Sequence, residues 1–477
     1  MKKNFFLLST VVALFASCSN TLTDMMDDAS LHEARLQKAK AFVAKQQFKI
    51  AVSPVSNQTL RQTFKVTPVE LQSLLSSSQV TRTATPTASF IEPVVYQNDT
   101  IMYLVSFQKG WRLYSVDKRM PTVLAENYVE TGKRAADILN NKAISFWISD
   151  IAGQTNYLKN TDEYDEQSES LQQWAVQGRG IKRIPYQPVP GEYIYVGREA
   201  VSRTTYYTPH VTKTLWHGGE PFNAYCPTLS VDGTQRCNAG CVAVSVSQYL
   251  YFLQDKLGYS FSMPNLGSCL GSCREDYVQS FTRFKSWNLN ELPLTDDVNL
   301  YSAEQFDKAA LTIGYVGKQV SMKYRVDGSS AVYTDAAAFL NSIGVKGEFM
   351  DIGYGSIDNT LINLKHPVLA RGVSERISGH MFLIDGAKYD LVEYEDVWRF
   401  LEDTTFYDPD RYGVILREKS GTQKENYGYQ CNFGWNLGEA PYKSDADDTY
   451  YVISNLNGYT MQKKIFQTRR LILTNKK

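Results

Sequence analysis

Two residues in this 477-residue chain combine a reactive side chain with a setting that activates it. Cys241 follows Gly240 where the apolar run Val242 to Leu253 begins, and His380 follows Gly379 ahead of the apolar run Met381 to Ile384. A cysteine at the first position of a helix faces unpaired backbone N–H groups, which favour the thiolate, the form that attacks carbonyl carbon. A histidine supplies the base and the acid that such a nucleophile needs. Taken one at a time, a small buried cysteine and a hydrogen-bonded core histidine would require no chemistry at all.

The surrounding residues change that balance. The 139 positions from Cys241 to His380 fall within the roughly 130–150 that papain-type enzymes place between nucleophile and histidine. Gly240-Cys241-Val242-Ala243, followed by Gln248, resembles the nucleophile segment of the streptopain-type cysteine peptidases, and Gly379-His380 with Phe382 and Ile384-Asp385-Gly386-Ala387 resembles their histidine segment. Upstream, Trp216-His217-Gly218-Gly219-Glu220-Pro221-Phe222-Asn223 through Cys226-Pro227 is similar to the block that opens the mature enzymes, and downstream Asn432-Phe433-Gly434-Trp435 is similar to their Asn-Trp-Gly-Trp. Four blocks in the same order are far more specific than any one of them.

The resemblance implies a papain-like catalytic domain of two lobes, a helical one carrying Cys241 and an antiparallel β one carrying His380 and Asn432, with a polypeptide substrate in the cleft between them. In that scheme Cys241 is the nucleophile, His380 the acid and base, Asn432 the residue that orients His380, and Trp435 the shield of that contact from water. Gln235 lies six residues before Cys241, the spacing papain-type enzymes use for an oxyanion-binding glutamine; a surface glutamine in a polar loop is the other reading. The chain also departs from the family. Gly218 stands where the pattern Trp-x-Gln-Gly has glutamine, Phe433 where it has tryptophan, and Asn436-Leu437 interrupts the usual Gly-Gly; the stretch Lys388 to Tyr429 is longer than the family's connection.

As a thiolate, Cys241 would attack a peptide carbonyl while His380, as imidazolium, protonates the leaving amine; water activated by the same histidine then releases the acyl-enzyme. The scheme uses no cofactor and no metal. The chain has no His-Glu-x-x-His helix, no Walker lysine loop and no Gly-x-Ser-x-Gly elbow, and a zinc reading of Cys226, Cys237, Cys269 and Cys273 lacks a His-rich partner segment. Lys+Arg and Asp+Glu are both 50, which removes the electrostatic case for nucleic acid or an anionic membrane surface as partner. The departures at Gly218, Phe433 and Asn436 sustain a reading of another class, a surface lipoprotein that kept the peptidase fold as a binding module and lost turnover. A transglutaminase-type acyl transferase is a third.

The elements that must position these residues follow from the rest of the chain. Lys2 and Lys3, the apolar stretch Phe5 to Ala16 and Leu14-Phe15-Ala16-Ser17-Cys18 read as a signal peptide over residues 1–17, too short to span a bilayer. Cysteine after Ala-Ser resembles a bacterial lipoprotein signal, so Cys18 is expected to carry a lipid anchor, the only membrane contact, on the cell envelope; plain secretion is the alternative. Within residues 24–160 a helix is predicted over Leu31–Gln46, then a hairpin of Ile101–Phe107 and Trp111–Val116 around Gly110. The continuation Asp117 to Leu124 resembles streptopain-type propeptides, which implies that residues 24–160 are an inhibitory prodomain. Residues 161–203, rich in glycine, proline and basic side chains between 178 and 191, are predicted to be an exposed linker, with processing within 178–203 beside Arg179, Lys182, Arg183, Arg198 or Arg203. Residues 204–477 would be the catalytic domain. Val242 to Ser247 alternates with period two and is β-branched, which favours a strand, yet the seventeen residues between Gly240 and Gly258 suit a long buried helix with a glycine stop, and a helix is predicted there. The fold class is α+β, a smaller helix-then-sheet prodomain ahead of the two-lobed domain.

Overall fold

The computed structural model describes residues 64–77, 88–141, 144–162, 193–228, 236–259, 289–325, 328–373, 379–400, 415–434, 449–453 and 463–471, together with Gln37, Ser170 and Leu171. The predicted helix over 31–46 therefore lies outside the described residues apart from Gln37. The chain divides into two units. In the smaller, residues 1–51, 183–202 and 393–422, the described part is mostly strand, with Ser202 Oγ donating to Glu393 Oε2 at 2.8 Å and Arg417 facing Glu395 at 3.9 Å. The larger unit holds residues 52–182, 203–392 and 423–477, and so contains Cys241, His380 and most of the N-terminal region.

In that unit a helix α1 (Pro68–Ser77) precedes an antiparallel meander of β1 (Ala88–Tyr96), β2 (Asp99–Phe107), β3 (Trp111–Ser115) and β4 (Val123–Asn127). The predicted hairpin is present, with Tyr103 opposite Tyr114 and Leu104 opposite Leu113. Its turn requires glycine, because Gly110 has φ +81° and a Cβ there would lie 2.2 Å from the Asn127 carbonyl oxygen. Helices α2 (Ala135–Asn140) and α3 (Ser145–Asn160) follow. Strand β5 (Tyr193–Thr208) corrects the linker reading: residues 193–203 are strand, as the β-branched and aromatic residues Tyr193-Ile194-Tyr195-Val196 and Thr204-Thr205-Tyr206-Tyr207 favour.

The remainder contains α4 (Cys241–Leu257), α5 (Ala303–Gln319), α6 (Tyr333–Ser342), β6 (Val345–Asp351), β7 (Val368–Gly372), β8 (His380–Phe400), β9 (Ile415–Asn432), β10 (Tyr450–Tyr451) and β11 (Lys464–Leu471). The strands form one mixed-order sheet, β1-β2-β3-β4-β10-β9-β8-β7-β11-β6, with β5 on β8. The join is antiparallel pairing of β10 with β4, Tyr450 opposite Glu126 and Tyr451 opposite Ala125. The protein is thus α+β, with an antiparallel sheet that runs from the N-terminal meander through the strand that bears His380.

Two cores flank the strands that carry the site. One gathers α4, α5 and α6 against Leu369, Met381, Leu383 and Phe466. The other gathers Phe146, Trp147, Ile148 and Ile151 of α3 against Ala370, Phe382, Ile384, Phe433 and Ile465. A buried ion pair ties α3 to the segment entering β11, Asp150 Oδ2 accepting from Lys463 Nζ at 2.7 Å with both side chains at most 3 % exposed, and Lys388 of β8 pairs with Glu126 of β4. Removing one member of a buried pair strands the other. Lys463→Met is expected to lower the unfolding free energy by about 3–5 kcal/mol, read as a shift of the urea midpoint, and an unmoved midpoint would show that the pair carries no stability.

Candidate active site

Helix α4 places the sulfur. Val242 through Leu253 are all buried, so the segment lies inside the protein on every side and has no polar face to give it a helical period. Its serines stay satisfied by bonding back along the helix, Ser245 Oγ to Cys241 O and Ser247 Oγ to Ala243 O, each at 2.7 Å. Gly240 precedes the helix with φ 84°, and Gly258 ends it in the left-handed region with φ 62°. Cys241 is therefore the first helical residue. Backbone N–H groups of Met381, Val242 and Cys241 itself favour its thiolate, but burial outweighs them and pushes the thiol up.

His380 opens β8, opposite Gly372 of β7. Alternation along the strand sends its side chain to the same core as Phe382 and Ile384, whereas Met381 and Leu383 pack with α4. The imidazole stacks on Phe382 at 6.0 Å between ring centres and touches Phe146 at 5.6 Å and Phe433 at 6.2 Å. Its Nε2 lies 2.8 Å from the Phe433 carbonyl oxygen. A carbonyl only accepts, so Nε2 carries the proton and Nδ1 the lone pair. Burial pushes the ring down to about 4, against the opposing pull of that carbonyl. In this arrangement both members of the pair are neutral: the thiol is protonated and the imidazole is uncharged.

The structure thus brings Cys241 to the strand that begins at His380, where the Met381 N–H faces the sulfur, while the imidazole itself is turned into the aromatic pocket. Phe146, 1 % exposed, at the start of α3, is the ring that the N-terminal region contributes to this pocket; a Cβ on Gly372 would lie 2.2 Å from its Cζ. Asn432, read as the orienting residue, spends its side chain elsewhere. Its Nδ2 donates to Thr214 O at 2.7 Å and Gln248 Oε1 at 2.9 Å, and its Oδ1 accepts from Gly434 N at 3.1 Å. The atom that holds His380 belongs to the next residue, and it is a backbone oxygen, so phenylalanine in place of tryptophan at 433 does not remove it. Gln235, Trp435 and Cys18 lie outside the described residues, as do Cys269 and Cys273. Among the described residues Cys226, Cys237, Cys241 and Cys431 are free thiols.

Gln248, quoted in the sequence only as part of the nucleophile-segment pattern, and Phe146 received no role from the sequence. Gln248 is fully buried on α4 and joins Trp216 N (3.2 Å) to Asn432 through one Oε1; a glutamine in the middle of an apolar run was a usable signal, since a buried amide must find partners. Phe146 gave no signal, because nothing in its own segment distinguishes it from any core phenylalanine.

Residues 216–440 match the model of the Peptidase C10 family. No curated protein matches the chain. Among solved structures the chain is similar to a mutant fragment of prointerpain A from Prevotella intermedia, at 17 % identity and a TM-score of 0.43 over 79 % of this chain and 98 % of that one. It is also similar to active wild-type interpain A cysteine protease from the same organism, at 20 % identity and a TM-score of 0.34 over 55 % of this chain and 94 % of that one.

Proposed function

We propose that the protein, whose residues 216–440 match the Peptidase C10 family model, is a cysteine peptidase, the latent precursor of an endopeptidase whose dyad is Cys241 and His380 and whose inhibitor is its own N-terminal region. The observation that carries this reading is the burial of the His380 imidazole, 2 % exposed, under Phe146. A neutral thiol beside a neutral, sequestered imidazole is the protonation state of an enzyme at rest.

Activation then has a physical definition. Withdrawal of α3 takes Phe146 off the ring, water or substrate reaches it, and the imidazole turns toward the sulfur. There it accepts the thiol proton, and the N–H groups of Cys241, Val242 and Met381 stabilise the thiolate that results. The thiolate adds to a peptide carbonyl, the tetrahedral intermediate expels the amine with the proton from the imidazolium, and water deprotonated by the same imidazole cleaves the thioester. The N-terminal region is seated through the β4–β10 pairing, the second core and the Asp150–Lys463 and Glu126–Lys388 pairs. Arg198 and Arg203 lie within β5, and Arg203 is bound to Asp390 at 2.7 Å and Glu425 at 3.4 Å. Processing is therefore assigned to the vicinity of Arg179, Lys182 and Arg183, ahead of that strand.

The direct test uses the full-length chain before and after limited trypsin digestion, with trypsin then inhibited. The intact chain is expected to degrade denatured casein at least about a hundredfold more slowly than the cleaved one, as a group activated only on opening requires. Equal rates would show that residues 24–160 are a spacer and not an inhibitor.

A further inference from the structure

Attack on a peptide carbonyl moves an electron pair onto its oxygen, and a thiol peptidase needs two hydrogen-bond donors where that oxygen comes to rest. The Cys241 backbone N–H at the head of α4 is one. The pattern Trp-x-Gln-Gly, which the opening block resembles, has a carboxamide able to donate at the position of Gly218, and here that position has no side chain; Gln235, the carboxamide read from spacing as a donor, lies outside the described residues. The space it would use is not empty. A Cβ on Gly218 would lie 2.1 Å from Oδ1, 2.6 Å from Cγ and 2.7 Å from Nδ2 of Asn238. A carboxamide three residues before Cys241 therefore occupies the ground on which a side chain at 218 would have to begin.

Asn238 is held firmly there. Its Oδ1 accepts from Gly240 N at 2.8 Å, its carbonyl accepts from Ser329 Oγ at 2.5 Å, and Ala239 N donates to Gly218 O at 2.8 Å. Gly240, at φ +84°, fits because a Cβ would meet Met322 Sδ at 2.9 Å and Ser329 Cβ at 3.1 Å. With the amide oxygen engaged, the donor face of the carboxamide is fixed in direction. Its Nδ2 has no hydrogen-bond partner among the described residues, and Asn238 is only half-buried. A rigid, oriented and unused N–H₂ beside the first turn of the nucleophile helix is what electrostatic preorganisation requires.

We infer that Asn238 Nδ2 is the second oxyanion donor of this enzyme, a catalytic residue that takes over the role vacated at Gly218. The inference rests on the peptidase reading of the same site. As the sulfur–carbon bond forms, the carbonyl π pair becomes the oxyanion, which accepts from Cys241 N–H and Asn238 Nδ2–H; on collapse the pair returns to the carbonyl and the amine leaves. Asn238 forms no covalent bond and transfers no proton.

The test uses the full-length chain activated by trypsin as above, with a fluorogenic peptide as substrate and the corresponding peptide aldehyde, whose thiohemiacetal carries the same oxygen, as inhibitor. Asn238→Asp keeps an oxygen for Gly240 N–H and removes the donor, and Asn238→Ala removes both. Each is expected to lower kcat by about 10²–10³ with KM nearly unchanged, to weaken the aldehyde in parallel, and to leave the rate of Cys241 alkylation by iodoacetamide within about threefold, which a role in folding alone would not do. Gly218→Gln is expected to impair the otherwise wild-type chain, by its clash with Asn238, and to restore at least about tenfold of the lost kcat in the Asn238→Ala chain, where its own carboxamide has room. Unchanged kcat in both Asn238 variants overturns the assignment, and so does loss of alkylation together with kcat. A wild-type chain that cleaves no peptide sinks the peptidase reading itself, and this inference with it.

Discussion

Cys241→Ala in the trypsin-activated chain is expected to remove casein hydrolysis, with turnover down by about 10⁵–10⁶, and His380→Ala to do nearly the same, because a nucleophile and its base act as one unit. The same non-additivity makes the double variant no worse than either single one. His380 fills an aromatic pocket in the latent chain, so the alanine variant leaves a cavity there. His380→Gln, closer in volume and without a titratable ring, serves as the second test. Thermal midpoints measured alongside separate lost chemistry from lost fold. Hydrolysis at the wild-type rate by either the cysteine or the histidine variants removes that residue from the mechanism.

The second large effect is a change in the pH dependence of Cys241. In the intact chain burial holds the His380 ring at about 4 and raises the Cys241 thiol above its ordinary range, so from pH 5 to 8 the ring is neutral and the sulfur protonated. Iodoacetamide, which reacts with thiolate, is expected to label Cys241 appreciably only in alkaline solution. Cleavage, or Phe146→Ala, lets water to the ring; its pKa returns toward about 6.5, the thiolate forms beside imidazolium, and labelling begins in acid. Each unit by which the thiol falls multiplies the labelled fraction below its pKa about tenfold. Cys226, which burial pushes up to about 12, is an internal control that stays unlabelled in peptide-resolved mass spectra.

Linkage predicts how the latent state itself responds. Since the closed form binds the His380 proton more weakly than an opened one, closure loses stability as pH falls from about 6.5 to about 4, by up to about 3 kcal/mol. Opening is therefore favoured by mild acid. Gly372→Ala probes the same contact from the other side, because its Cβ would occupy the place of the Phe146 ring; it is expected to behave like Phe146→Ala. Superimposable labelling profiles for the intact, cleaved and Phe146→Ala proteins would refute the role given to Phe146.

Much of this molecule was legible along the chain. The β2–β3 hairpin showed in its alternation and its glycine turn, and α4 in the distance between two glycines, even though its β-branched start argued for a strand. That conflict is resolved by burial: inside a core all faces of a helix are apolar, so periodicity carries no information there and only the glycine stops remain to mark the segment. The linker reading ran too far into β5, because glycine, proline and charge end near residue 191 while the assigned boundary did not.

By itself the sequence determined which residues can do chemistry here: a cysteine heading a helix, a histidine heading a strand, and the blocks around them, all of which are local in the chain. Only the tertiary structure decided their state. The His380 ring packs among Phe146, Phe382 and Phe433, its Nε2–H donates to the backbone oxygen of Phe433, Phe146 comes from a segment far earlier in the chain, and Asn238 stands in the space that glycine leaves at 218. Each of these depends on contacts between residues distant in sequence, and on the exclusion of water that such contacts produce. Protonation state follows from burial, and burial is a property of the folded chain.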